Sequence, residues 1–485
     1  MKINQTSLLI ICVLLLKIIP SYSQTVNDFQ IQKKVLNLKN VILLAQDSSI
    51  DGIKARDTFN TSYWQYRNYN SERLPSLMLS LTPIQYNRDV LKRYISETNR
   101  DEYRSQQSMY SYGNLKLSQN IDFTGGQFYV ISELGFLRTF SSSTYNQFTS
   151  TPFKIGYTQS LIGYNAFKWD KKIEPLKYRR SEQDYKFSLR NIAITAATYF
   201  FDMLTAKEQL TLAKLNLQRA DTLMTIGKIK YNHGAILKSD LLTLQLNQLK
   251  MNNEQAKAKN EYTQTLFNLV SYIGKDINSV YDISLPDSLP CKWIDIGNTI
   301  ETCRENNPKY LEMEQNILEA KRNLDKAKKQ RHLEANVDFS IGFNQYSDHF
   351  CNIYKNLMQQ DIVSIGVSIP LVDWGVRRGN YNVAKSNLEM AIVEKRKEQM
   401  TLEQNVYAMI NDYNTQVHVL DASKDAMNLS TNILNQIILQ FRLGNTGIEK
   451  LKDAFTQEQQ SHIQYLSILK TCWLDYLNIS KEMNL

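Results

Sequence analysis

From Ala335 to Phe343 the chain alternates with a period of two: Ala335, Val337, Phe339, Ile341 and Phe343 are apolar, while Asn336, Asp338, Ser340 and Gly342 are polar or small. The pattern recurs in 363–371, where Val363, Ile365, Val367, Ile369 and Leu371 alternate with Ser364, Gly366, Ser368 and Pro370. In 153–161, Phe153, Ile155, Tyr157 and Leu161 alternate with Lys154, Gly156, Thr158 and Ser160, and in 76–82 Leu77, Leu79 and Leu81 share one face. Successive side chains of a strand point to opposite faces, so each segment predicts a strand with one apolar side. Nine or ten such residues suit a tilted strand crossing an outer membrane. A half-solvated antiparallel sheet of a soluble α+β protein alternates in the same way, and the rest of the chain separates the two readings.

Outside these segments the period changes to three and four, as in Leu210, Ala213, Leu217, Ala220 and Met224. The stretches 176–285 and 371–485 contain no proline, and their few glycines cluster at turns. Each predicts a long helix, a glycine-marked turn and a returning helix. A helix over 176–226 alone would be about 75 Å long, so these rods must pack lengthwise like coiled coils. The two stretches match at a constant offset of 210 residues: Tyr231-Asn-His-Gly234 on Phe441-Arg-Leu-Gly444, Leu241 on Leu451, Asn268 on Asn478, Ile155-Gly156 on Ile365-Gly366 and Leu161 on Leu371. The chain therefore reads as a tandem duplication of one strand–helix–turn–helix unit. The first repeat, 24–290, holds an N-terminal helix, strands 74–82 and 151–161, an inserted hairpin over 83–150, and long helices 168–230 and 239–273. The second, 291–485, holds a helix over 297–330, strands 334–344 and 361–372, and long helices 376–442 and 448–482. The insertion carries its own strands, Gly113–Asp122 and Gln127–Phe140, and either extends a barrel outward or lies on it. Tyr129, Phe136, Phe140, Tyr145, Tyr157 and Tyr164 suit an interfacial aromatic girdle or simply pack that hairpin.

The first residues read as an address. A basic start, the apolar run Leu8–Leu16 and the small residues before Ser23–Gln24 form a cleavable secretory signal over 1–23. The 485-residue chain carries a net charge of +9, and loss of Lys2 and Lys17 lowers it to +7, a mild, dispersed excess that does not indicate nucleic acid. Four cysteines lie beyond the signal: Cys291, Cys303, Cys351 and Cys472. Cys291 and Cys303 are near enough in sequence to pair, but no disulfide framework or metal-ligand spacing is visible. Neither a metal nor a cofactor is expected. The five histidines are scattered, and G-x-S-x-G, P-loop and G-x-G-x-x-G motifs are absent from the sequence, so nothing indicates an enzyme.

Four strands cannot close a membrane barrel, because bacterial examples start at eight. An open edge in lipid would leave backbone groups unpaired at several kcal/mol each. If the strands are membranous, several chains must share one barrel. A non-conducting periplasmic or surface coiled-coil scaffold would need the rods but not the alternating strands.

The duplicated half, the joint Ile369-Pro-Leu-Val-Asp-Trp-Gly375, and the tips Tyr231-x-x-Gly234 and Phe441-x-x-Gly444, each leading into a Leu-rich return helix, resemble the TolC family of outer-membrane export ducts. The resemblance spans essentially the whole chain after the signal. It implies a mixed α/β membrane protein forming a homotrimer in the outer membrane of a Gram-negative bacterium. Four strands per protomer would give a shared twelve-stranded barrel continuing into a long periplasmic α-helical barrel. It further implies a passive exit duct serving a tripartite efflux pump or type I secretion system, docked on a periplasmic adaptor and, through it, on an inner-membrane pump. The adaptor-docking tips would comprise Tyr231, Asn232, His233, Gly234 and Leu237 in the first repeat, and Phe441, Arg442, Leu443, Gly444 and Gly447 in the second. Where the family often places two acids one turn apart at its periplasmic constriction, this chain has Lys450 and Asp453. They either pair with each other, within or between chains, or belong to a solvated helix face.

Overall fold

The computed structural model describes residues 34–484 except 97–98, 141–143, 277–280, 285, 287–288, 290–292 and 332. The signal 1–23 with its Ser23–Gln24 cleavage site, and Cys291, lie outside the described residues; Cys303 is buried with a free thiol.

A short strand β1 (Lys34–Leu36) leads into helices α1 (Leu38–Ser48) and α2 (Ile50–Ser71). Four strands follow, β2 (Ser76–Ile95), β3 (Arg100–Ile121), β4 (Gly126–Phe140) and β5 (Tyr145–Ile162), then the long pair α3 (Ala166–Asn232) and α4 (Lys238–Tyr272). Strand β6 (Tyr281–Ile283) lies at the end of the first repeat. It is followed by α5 (Ile296–Asn306), α6 (Pro308–Gln330), β7 (Glu334–Ser347), β8 (Met358–Ser368), and the second long pair α7 (Val376–Leu443) and α8 (Ile448–Met483). Helices α3 and α7 have 67 and 68 residues and are therefore about 100 Å long. The offset of 210 recurs in the helix starts, Ala166 with Val376 and Lys238 with Ile448.

All the long strands form one antiparallel sheet in the order β2-β3-β4-β5-β7-β8. The four strands expected are present and two more join them, so the sheet holds six strands per chain. The additional pair, β3 and β4, is the hairpin of the 83–150 insertion. It neither lies on the sheet nor simply extends it: it occupies the plane between β2 and β5. Only the last seven pairs of β2 and β3, from Asp89↔Gln106 to Ile95↔Arg100, run past the end of β4.

Where the pattern predicts one helix over 297–330, the structure has two. Asn307 leaves helical geometry (φ −69°, ψ 126°) and caps α6 by accepting from Lys309 N, with Pro308 at the first helical position. Proline lacks the N–H that would continue α5 and disfavours helical geometry in the residue before it. The N-terminal helical region divides similarly at Ser49, whose Oγ caps α2 by accepting from Gly52 N at 2.9 Å. Strands β1 and β6 pair in parallel, tying the described start of the chain to the segment between the repeats.

Among the described residues, three apolar cores run along the rods. The largest packs Val41 and Ala45 of α1 and Leu269 and Ile273 of α4 and its C-cap around Phe200, Phe201, Met203 and Leu204 of α3. A second joins Cys303 of α5 to Ile410 and Tyr413 of α7 and Ile479 of α8. The third closes the far end with Leu223, Met224, Leu244, Leu434, Phe441, Leu451 and Phe455. Among the described residues, no helix is long and apolar enough to cross a membrane.

Candidate functional site

Directly paired residues of a sheet share a face, so the register assigns the two surfaces. One row runs Leu77↔Leu117↔Val130↔Ile155↔Ile341, and the next runs Phe128↔Tyr157↔Phe339↔Val363. This apolar face is the open one: Phe339 is 47% exposed, while Ser340 beside it, on the opposite face, is 2% exposed. The opposite face carries Ser76, Ser118, Tyr129, Gly156 and Ser340 in one row. Thr158 Oγ1 donates to Asp338 at 2.7 Å, Tyr129 Oη donates to the same carboxylate at 3.3 Å, and Lys116 Nζ lies 5.6 Å from the Tyr129 ring centroid. Gly156 makes this possible, because a Cβ there would stand 2.2 Å from the Tyr129 ring. Apolar outside and polar within is the polarity of a barrel wall in lipid around a wet lumen.

The other end of the molecule carries the two tips, and they are built alike. In the first, Gly234 (φ +70°) ends α3, with Gly234 N donating to Tyr231 O and Ala235 N to Lys230 O. In the second, Gly444 (φ +84°) ends α7, with Gly444 N donating to Phe441 O and Asn445 N to Gln440 O. Both are glycine C-caps in which the residue after the glycine reaches back to satisfy a helix-end carbonyl. Tyr231, Asn232, His233, Gly234 and Leu237 are exposed, as are Arg442, Leu443, Gly444 and Gly447. Phe441 differs from them: it is 3% exposed and fills the core between the tips. Its carbonyl accepts from Lys230 Nζ at 2.8 Å, and the same ammonium lies 4.9 Å from the Phe441 ring centroid. Lys230 thus fastens the first tip to the second and offsets the negative end of α7. A basic residue in a last helical turn signals capping, but capping of a helix 211 residues away is a tertiary event that sequence does not display.

Lys450 and Asp453 lie on α8 just past the second tip, and both are exposed. Among the described residues no ion pair joins them within the chain, so an intrachain pair is not formed. Their neighbours Leu451 and Ala454 face the tip core, which turns 450 and 453 away from it. One turn further, Glu458 is buried to 1%. Arg219 Nη1 of α3 donates to Glu458 Oε2 at 2.9 Å and to Asn216 Oδ1 at 3.1 Å. This pair links the two repeats behind the tips, and its partners stand 239 residues apart, so no local pattern marks it.

A family model described as outer membrane efflux protein matches residues 98–275 and 299–470, most of the chain in two copies. Among solved structures, the chain is similar to the CmeC outer membrane channel of Campylobacter jejuni, at 16% identity and TM-score 0.66, over 92% of this chain and 85% of that one. It is also similar to the outer membrane protein VceC of Vibrio cholerae, at 11% identity and TM-score 0.66, over 92% and 96%. A membrane protein of Pseudomonas aeruginosa matches at 15% identity and TM-score 0.66, over 92% and 90%. A search of the curated proteins finds no match.

Proposed function

Because the chain belongs to the outer membrane efflux protein family, a family of channels and not of enzymes, we propose that it is the exit duct of a tripartite efflux pump or type I secretion system. Three copies share one barrel in the outer membrane of a Gram-negative bacterium, the rods form a tunnel through the periplasm, and the paired tips dock on a periplasmic adaptor that connects to an inner-membrane pump. The observation that carries this reading is the polarity of the molecule. An apolar-faced sheet with two free edges, β2 and β8, stands at one end of helices about 100 Å long, and two matching exposed turns stand at the other. A scaffold would have no use for the apolar sheet face. The edge strands run in opposite directions, so β2 of one copy can pair antiparallel with β8 of the next and remove both edges. Lys450 and Asp453, on the exposed face of α8, are the proposed constriction residues.

Extraction in mild detergent tests the assembly. The expected species is an elongated trimer well over ~100 Å long, as the rods demand; a monomer recovered without detergent would overturn the reading. The tips are tested by Gly444→Val. At φ +84° a β-branched residue is strained by roughly 1–2 kcal/mol or more, although Gly444 has only Lys230 Nζ near it, at 3.9 Å. Export is expected to fall while trimer yield is unchanged, with Gly444→Asn milder because asparagine tolerates this geometry. Unchanged export in the valine variant would remove the tips from the docking role.

Orientation is tested by Cys351, exposed in the β7–β8 connection, which this reading places at the cell surface. A membrane-impermeant maleimide is expected to label intact cells, and Cys351→Ser to abolish the labelling. Burial pushes the thiol of Cys303 up to about 12 and that of Cys472 to about 11, so neither supplies thiolate at neutral pH. Labelling that appears only after outer-membrane disruption and is lost in Cys351→Ser would reverse the orientation.

A further inference from the structure

We propose that the shared barrel closes on eighteen strands, six from each protomer, and that its exit is roughly one and a half times as wide as a twelve-stranded wall would allow. This rests on the trimeric reading above. The first observation is the strand order: β3 and β4 are hydrogen-bonded members of the sheet between β2 and β5 and not an appendage. The second is polarity. Leu115, Leu117, Phe128 and Val130 place the hairpin's apolar residues on the same open face as Leu77, Leu79, Ile155 and Tyr157, while Lys116 and Tyr129 face the other way. A hairpin standing off the wall would have no reason to keep that register.

The third observation is the anchoring of the β3–β4 turn at the level where strands become helices. Arg73, between α2 and β2, pairs with the Asp122 carboxylate. Asn165, which caps α3 by accepting from Lys168 N, donates to Asp122 O at 3.1 Å. Gln159 Nε2 donates to Thr124 O at 2.8 Å, and Tyr157 Oη to Thr124 Oγ1 at 2.7 Å. The turn is thereby fixed to both flanking strand–helix joints, as a wall element would be.

Perimeter gives independent support. At the sheet end each protomer offers α2, α3, α6 and α7, each joined directly to a strand. Twelve helices at about 8–10 Å give a perimeter of roughly 96–120 Å. Eighteen strands at about 4.8 Å, tilted by about 40°, give roughly 113 Å, whereas twelve give roughly 75 Å. Six strands per protomer continue the helical tunnel without a taper.

The test is a cross-section through the barrel of the detergent-extracted full chain by electron cryomicroscopy. A comparison variant lacks 89–144, with Arg88 joined to Tyr145 through an Asn-Gly turn. Because β2 and β5 already run antiparallel, the variant keeps the up-down order with four strands per chain. Eighteen strands are expected in the full chain and twelve in the variant, with diameters differing about 1.5-fold. A full-chain trimer whose wall holds twelve strands, with β3–β4 outside it, overturns this inference alone. If the variant fails to fold, the full-chain section still decides. Absence of a trimer overturns the assembly reading, and this inference with it.

Discussion

Replacing Val363 by arginine is expected to abolish barrel assembly, whereas Ser364→Arg, one residue along, should assemble normally. Val363 is 66% exposed in the single chain and pairs with Phe339, midway along the apolar band that runs from Ala335 to Phe343. In water an arginine at such an exposed site would cost almost nothing. At the middle of a bilayer it costs about 2–4 kcal/mol on the lipid face of a barrel, and a trimer carries it three times. The total of roughly 6–12 kcal/mol is comparable to the whole stability of an ordinary domain. Ser364 is on the opposite face, in register with Asp338, where a charge meets a wet lumen. Heat-stable trimer in outer-membrane fractions is the quantity to follow. Equal trimer yield from both variants would mean that the apolar face does not meet lipid, and the scaffold reading would then gain the advantage.

The contrast between these neighbouring residues was legible in the sequence because a strand's faces follow from a period of two. The repeat was equally legible: the same glycine C-cap, with the same backward hydrogen bond, recurs 210 residues apart at Gly234 and Gly444. What escaped were relations that depend on long-range register. The strands of the hairpin show in the alternation of Leu115, Leu117 and Ile121, but residues 100–112 place Tyr, Ser and Gln on both faces, and nothing local says which strand β3 will pair with. The three-residue pair β1–β6 is too short to display a period. Phe441 looks like an exposed tip residue from its neighbours Arg442 and Leu443, yet the approach of α8 buries it. The break at Asn307-Pro308 obeys a local rule but is masked by apolar spacing that continues across it.

Arg219→Leu should loosen the region behind both tips far more than any single exposed change there. Glu458 sits on α8 among Phe455, Ala454 and Leu451, with its side chain 2% exposed, and Arg219 from the other repeat, 17% exposed, is its ion-pair partner. Taking both charges out of water offsets much of their attraction, so the intact pair adds little net stability. Removing one partner is a different matter, because it strands a carboxylate at a site built to exclude water, at a cost of about 3–5 kcal/mol. If α3 and α8 part locally and not globally, this equals roughly a hundred- to several-thousand-fold faster amide exchange in that stretch of the two helices. The double variant Arg219→Leu with Glu458→Leu should recover most of the loss, since two apolar side chains can join the adjoining core. Recovery would identify the damage in the single variant as an unpaired buried charge. If both variants exchange alike and fast, the loss comes from packing around Arg219, whose guanidinium lies 6.0 Å from the Phe455 ring centroid.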